Sequence, residues 1–130
     1  VYAGHAYWVN RTGVVYCIDA ATGEAKYTER IKQSVWATPV GNGDRVYFFG
    51  KDGQTTVIRS GPKFEVLAEN QLWDPATQKL DPAKAAAEDT EEKRKAAASF
   101  SGSTQYGVAA VSGSLLIRTG EKLYCLRTAP

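Results

Sequence analysis

Gly13-Val14-Val15-Tyr16-Cys17-Ile18-Asp19-Ala20-Ala21-Thr22-Gly23-Glu24-Ala25-Lys26-Tyr27 is the stretch on which the fold turns. Its first half alternates well enough for a strand over 14–19. Asp19 to Gly23 then reads as a turn: Asp and Thr side chains can bond the backbone, and glycine takes positive φ at no steric cost. A second strand, Ala25 to Ile31, follows. Upstream, residues 6–11 form another strand, joined to 14–19 through Arg11-Thr12-Gly13.

The same pattern recurs. Ala6-Tyr7-Trp8-Val9 reappears as Val46-Tyr47-Phe48-Phe49 and as Leu115-Leu116-Ile117-Arg118. Each copy runs through a glycine turn into an apolar pair: Cys17-Ile18, Val57-Ile58, Cys125-Leu126. The offset is 40 from Tyr7 to Tyr47, from Gly13 to Gly53 and from Cys17 to Val57. Short strands and glycine turns repeating near that period are the signature of propeller blades. In the second copy, 36–41 opens the unit and Gly41-Asn42-Gly43-Asp44 turns the chain. Strands 45–50 and 54–59 form a hairpin through Lys51-Asp52-Gly53, and 63–69 closes the unit. The last copy has strands near 106–112, 114–118 and 121–127. The fold class is therefore all-β, a partial propeller of four-stranded antiparallel blades counted three, four, three. The blade parts fall at 1–32, 33–70 and 104–130.

A ring needs at least about four blades, so the chain reads as part of a larger protein or as a unit that assembles through its open edges. The first unit lacks its leading strand and reads as a truncation. The last lacks its trailing one, as when a returning N-terminal strand completes a ring.

Between the second and third copies the offset rises to 69 (Val46 to Leu115) and settles to 68 (Val57 to Cys125). The difference is a helical insertion at 71–100. Asp74-Pro75 and Asp81-Pro82 each pair an N-cap residue with proline at the first helical position, and Ala83 to Ala98 has high helix propensity. Only alanines form its apolar positions, so the helix is expected to be solvated or partly disordered.

Composition bounds the chemistry. A formal net charge of +2, with no basic cluster on one face, speaks against nucleic acid. No stretch is long and apolar enough to span a membrane. Cys17 and Cys125 occupy one slot in different copies and read as small core residues, not a disulfide or a metal pair. His5 is the only histidine, without partners for base or ligand chemistry. Asp19, Asp44 and Asp52 sit in turns, where carboxylates cap backbone N–H groups. Asn10-Arg11-Thr12 fits a glycosylation sequon at a hairpin, relevant only in a glycosylating host. No catalytic, cofactor or metal residue is therefore assigned.

The quoted stretch resembles the blade motif of the pyrroloquinoline-quinone-type (PQQ-type) repeat family, roughly G-x-(V/L)-Y-A-L-D-A-x-T-G-x-x-x-W. Ala37-Thr38-Pro39-Val40, with Gly43 and Val46-Tyr47, resembles the family's A-S-P-V-x-x-x-G-x-V-Y half. The likeness spans 6–31, 36–58 and 106–126, with Val108 in place of the proline. Asp19, Thr22, Gly23 and Tyr27 carry the structural motif, Tyr27 standing where the family has a docking Trp. The second copy has Arg59-Ser60-Gly61-Pro62 instead of the Asp-Thr-Gly turn. The resemblance implies a propeller and leaves function open, because fold alone does not choose it. Some members are quinoprotein dehydrogenases that hold PQQ and Ca²⁺. Others bind no cofactor, among them the propeller lipoprotein of the outer-membrane β-barrel assembly machine, a protein-docking platform.

The leading expectation is a non-catalytic scaffold of the periplasm, cell envelope or secreted fraction, taking a protein or small ligand on its propeller face and no cofactor. The alternative is part of a PQQ- and Ca²⁺-dependent oxidoreductase whose site lies in other blades. The candidate binding face is the set of connections entering each first strand: Gln33 and Trp36 in one copy, Gln105 and Tyr106 in another, with Trp36 and Gln105 equivalent by the offset of 69.

Overall fold

Alternation decides the second strand. Along Val14–Asp19, Val15 and Cys17 are buried while their neighbours are only half-covered, as a pleated strand with one inward face requires. The computed structural model describes residues 1–75, 90–93, 105–120 and 122–127, with the backbone alone at 105–106. Its strands are β1 (His5–Val9), β2 (Val14–Asp19), β3 (Ala25–Arg30), β4 (Val40–Asn42), β5 (Arg45–Phe49), β6 (Gln54–Arg59), β7 (Val66–Gln71), β8 (Gln105–Val111), β9 (Ser114–Thr119) and β10 (Leu123–Arg127). They form three antiparallel sheets, β1-β2-β3, β4-β5-β6-β7 and β8-β9-β10. This is a partial β-propeller, with the three, four, three count that the repeats imply.

The repeat is visible residue by residue in the pairing. Tyr7 faces Cys17 and Tyr47 faces Val57, 40 positions on; Leu116 faces Cys125. The isolated Tyr2–His5 bridge is the counterpart of the Asn42–Arg45 pair, and Val111–Ser114 is the third copy of it. A two-residue hairpin closes each of these pairs. Its first residue has positive φ throughout: Ala3 (47°), Gly43 (64°) and Ser112 (40°). Such left-handed positions match the twist of paired strands. The β2–β3 ladder skips Lys26 between Cys17 and Ile18, and the β6–β7 ladder skips Leu67 between Val57 and Ile58. The bulge is thus inherited by both copies, as a designed feature of the blade.

Sheets one and two close on a shared core of Val15, Ile31, Val35, Val46, Phe48 and Ile58, edged by Tyr2, Tyr7, Val9, Tyr27 and Phe64. Burying side chains as completely as Phe48 and Ile58, both at 0% exposure, contributes roughly 1.5–3 kcal/mol each. Two glycines let the sheets approach. The Tyr2 ring lies over Gly41, where any side chain would collide with it, and the Tyr2 hydroxyl donates to Gly43 O at 2.8 Å. At Gly13 (φ 84°) a Cβ would fall 2.6 Å from Gln33 O and 2.7 Å from Ile31 O. Tyr27, on β3, packs against this core and its ring meets Phe64 of the second unit edge-on at 5.5 Å.

Some boundaries differ from the sequence reading. The strand expected at 36–41 is β4, only Val40–Asn42, because Pro39 has no N–H to give a ladder; Val35 instead bridges Gly50. The strand expected at 63–69 is β7, Val66–Gln71, so Gln71 still belongs to the sheet and the insertion begins after it. Most of the helix expected over 83–98 lies outside the described residues; within it, 91–93 are helical, with Thr90 Oγ1 accepting from Lys93 N at 3.3 Å as an N-cap does. Cys125 is exposed whereas Cys17 is buried. Its slot is the same, but no sheet among the described residues covers that side of the third one.

Candidate functional site

The residues from Gln33 to Trp36 link the first sheet to the second and lie between two equivalent hairpin turns, those of Arg11 and Lys51. Three bonds stitch the segment in place. Ser34 Oγ donates to Arg11 O at 2.7 Å, Lys51 N donates to Ser34 O at 2.9 Å, and Trp36 Nε1 donates to Ser34 Oγ at 3.2 Å. The indole is half-buried, with the Arg11 guanidinium carbon 5.1 Å from its ring centre and Lys51 Nζ at 5.3 Å. A cation over an indole face is worth roughly 0.5–1 kcal/mol where water has access, and here two cations fix one ring. Beside it a groove of about 350 Å³ runs past Tyr7, Trp8 and Arg11 to Thr38 and Pro39.

Gln33 requires a correction. It is not on this face: its side chain is 3% exposed. Its Nε2 donates to Thr56 Oγ1 at 2.8 Å and to Phe48 O at 3.3 Å, and Thr56 Oγ1 lies 2.9 Å from Gln33 Oε1. The amide is drawn inward because Thr56 brings a hydroxyl into the core, and a buried hydroxyl must find partners. Gly50 leaves the room, since a Cβ there would sit 2.6 Å from Gln33 Cγ. Local sequence carried no sign of this, since Thr56 is one of three polar residues, Gln54 to Thr56, that open β6. Gln105 opens β8 opposite Thr119, and Tyr106 stands at the register shift before Gly107. Their side chains lie outside the described residues, so Trp36 is the only one of the four whose side chain the described structure places on this face.

The motif residues act on the opposite end of the sheets. Asp19 Oδ1 accepts from Ala21 N at 3.0 Å and Thr22 N at 3.1 Å. These N–H groups, Thr22 first, hold its pKa below the ordinary carboxylate value. Thr22 Oγ1 takes Glu24 N at 3.3 Å, and Gly23 has φ 75°. Asp44 pairs with Arg59 at 2.9 Å, and Asp52 Oδ1 accepts from Gln54 N at 3.2 Å. His5 Nδ1 is 2.9 Å from Ala3 O. Among the described residues no three His, Cys, Asp or Glu converge as a metal site.

Behind the Asp19 turn, Cys17 lies between two tyrosines. Burial is the main cause that pushes its thiol up, and it pushes the Tyr27 hydroxyl up further. The Tyr7 hydroxyl is raised mainly by burial too, and it accepts from Gly61 N at 2.6 Å. Cys17 is fully buried here and packs as a core residue.

No curated protein matches the chain. One family model does, that described as outer membrane protein assembly factor BamB, over residues 1–128. Repeat spacing, blade register and that match agree, and the chain belongs to this family of PQQ-type propeller repeats.

Proposed function

We propose that this chain is a non-catalytic propeller segment that docks a protein partner at the end of the blades carrying Trp36. The observation that carries the reading is the indole held between Arg11 and Lys51 at the rim of a groove. Trp and Arg are the residues that anchor protein interfaces, where a half-buried ring offers large area at small entropic cost. The family supports a partner that is a protein and a site of action in the cell envelope or periplasm. No quinone or Ca²⁺ enters this reading; Asp19, Asp44 and Asp52 each already serve a turn or an ion pair.

A photo-crosslinking amino acid at position 36 tests it, with position 63 as control. Incubation with an envelope fraction is expected to give a discrete adduct from 36 and none from 63, and Arg11→Glu should abolish it. Equal labelling from both positions would refute the docking face. A rise in melting temperature on adding PQQ with Ca²⁺ would favour the oxidoreductase instead.

A further inference from the structure

The joint between sheets two and three is closed at one end and open at the other. At the closed end the Trp73 ring lies over Gly53, where any side chain would strike it, and stacks on Tyr124 with ring centres 5.7 Å apart. Phe49, Ile117 and Thr119 are at no more than 2% exposure. Toward the other end of the same strands, Tyr47 and Leu115 are half-buried and Arg45 is exposed. A slot of about 690 Å³ opens there, within the roughly 300–1,000 Å³ of small-molecule sites.

The pairing register settles which side chains face into it. On sheet two Arg45, Tyr47 and Phe49 share one face, with Thr55 opposite Phe49 and Asn70 opposite Thr55. Asn42 joins that face opposite Arg45. On sheet three Leu115 stands opposite Leu126, and Ile117, two residues along, lies on the same face. One wall is therefore amide, hydroxyl and guanidinium around a tyrosine ring, and the other is aliphatic. No carboxylate lines the slot among the described residues. Arg45 already has Asp44 at 3.4 Å, so the polar wall carries little uncompensated charge.

Thr55 marks the slot as more than a packing gap. It is 7% exposed, yet its hydroxyl makes no hydrogen bond among the described residues, whereas the neighbouring Thr56 is bonded to Gln33. The first sheet has Val15 at this position, 40 residues earlier, an isostere without the hydroxyl. Buried polar groups are nearly always bonded, and the space that Thr55 faces is the slot.

We infer that the slot binds a short neutral saccharide. A pyranose ring has an apolar C–H face and a rim of hydroxyls. The face fits Leu115, Ile117 and Leu126. The rim meets Thr55, Asn42 and Asn70, whose side chains both donate and accept, as sugar hydroxyls do. The slot is separate from the Trp36 face and stands or falls independently of it.

Maltose, cellobiose and N,N′-diacetylchitobiose are the probes, titrated at millimolar concentration into the ¹⁵N-labelled chain, with 1-butanol as the apolar control. At least one disaccharide is expected to shift amides of β5, β6 and β9 saturably. Thr55→Val should weaken that sugar about three- to tenfold, as losing one neutral hydrogen bond does. The same variant should melt no lower than the parent chain, because it removes a buried hydroxyl without a partner. Asn70→Ala, at an exposed strand position, should also weaken the sugar and leave butanol unchanged. Absence of a saturable shift from all three sugars, shifts centred outside sheets two and three, or undiminished affinity in Thr55→Val would overturn the inference. A Thr55→Val chain that melts lower would overturn it too, by showing that the hydroxyl serves the fold.

Discussion

Replacing Gln33 by leucine tests the buried amide directly. Leucine has nearly the same volume, so the perturbation is chemical: Thr56 Oγ1 loses its partner at 2.8 Å and Phe48 O its donor at 3.3 Å, both inside the core. Each buried polar group left without its bond costs about 1–3 kcal/mol. Discounting the long Phe48 contact gives a loss of about 3 kcal/mol, a fall of roughly 10 °C in melting temperature for a domain this size. Thr56→Val in the same chain removes both halves of the pair, and removing both is far cheaper than removing one. The double variant should therefore regain about 1–2 kcal/mol relative to the sum of the singles. Urea denaturation measures this through the midpoint at constant slope. A Gln33→Leu loss below about 0.5 kcal/mol, or strict additivity in the cycle, would refute the reasoning and return Gln33 to the surface.

Two further outcomes follow from the first sheet. The Asp19 pKa is depressed first by the Thr22 and then by the Ala21 N–H, so its contribution is in place above about pH 4 and fades as pH falls through the lowered value. Asp19→Asn should give a shallower acid limb of stability against pH, and an unchanged limb would contradict the cap. Iodoacetamide on the native chain should modify exposed Cys125 and spare Cys17, which is buried and held protonated; comparable rates by mass spectrometry would show that sheets one and two do not close over Cys17.

The blades were legible because their signals are local and repeated. Glycines at 13 and 53 and alternating aromatics recur at fixed offsets, so each copy checks the other, and the Asp19–Gly23 turn is a strong local signal in the first copy alone. The end of β7 was not legible: Ile58 pairs Val66 where Ile18 pairs Ala25, so the β6–β7 turn is one residue longer and moves the strand one residue past the plain period. At the candidate site, Trp36 could be singled out because a large aromatic beside a strand entry is unusual. Gln33 could not, because its fate depends on Thr56 and Gly50, distant in sequence and brought together only by the fold.

The side chains at below 2% exposure include Phe48, Phe49, Ile58, Val46 and Thr56, all on the middle sheet, against Val15 and Cys17 on the first and Ile117 on the third. The stack therefore behaves as a short one-dimensional array, in which each unit owes much of its stability to its neighbours. The central unit has two neighbours and its flanks one each. Cooperativity should decay outward: amide exchange is expected to be slowest along β5 and β6, with the flanking sheets opening first in partial unfolding events that leave the centre protected.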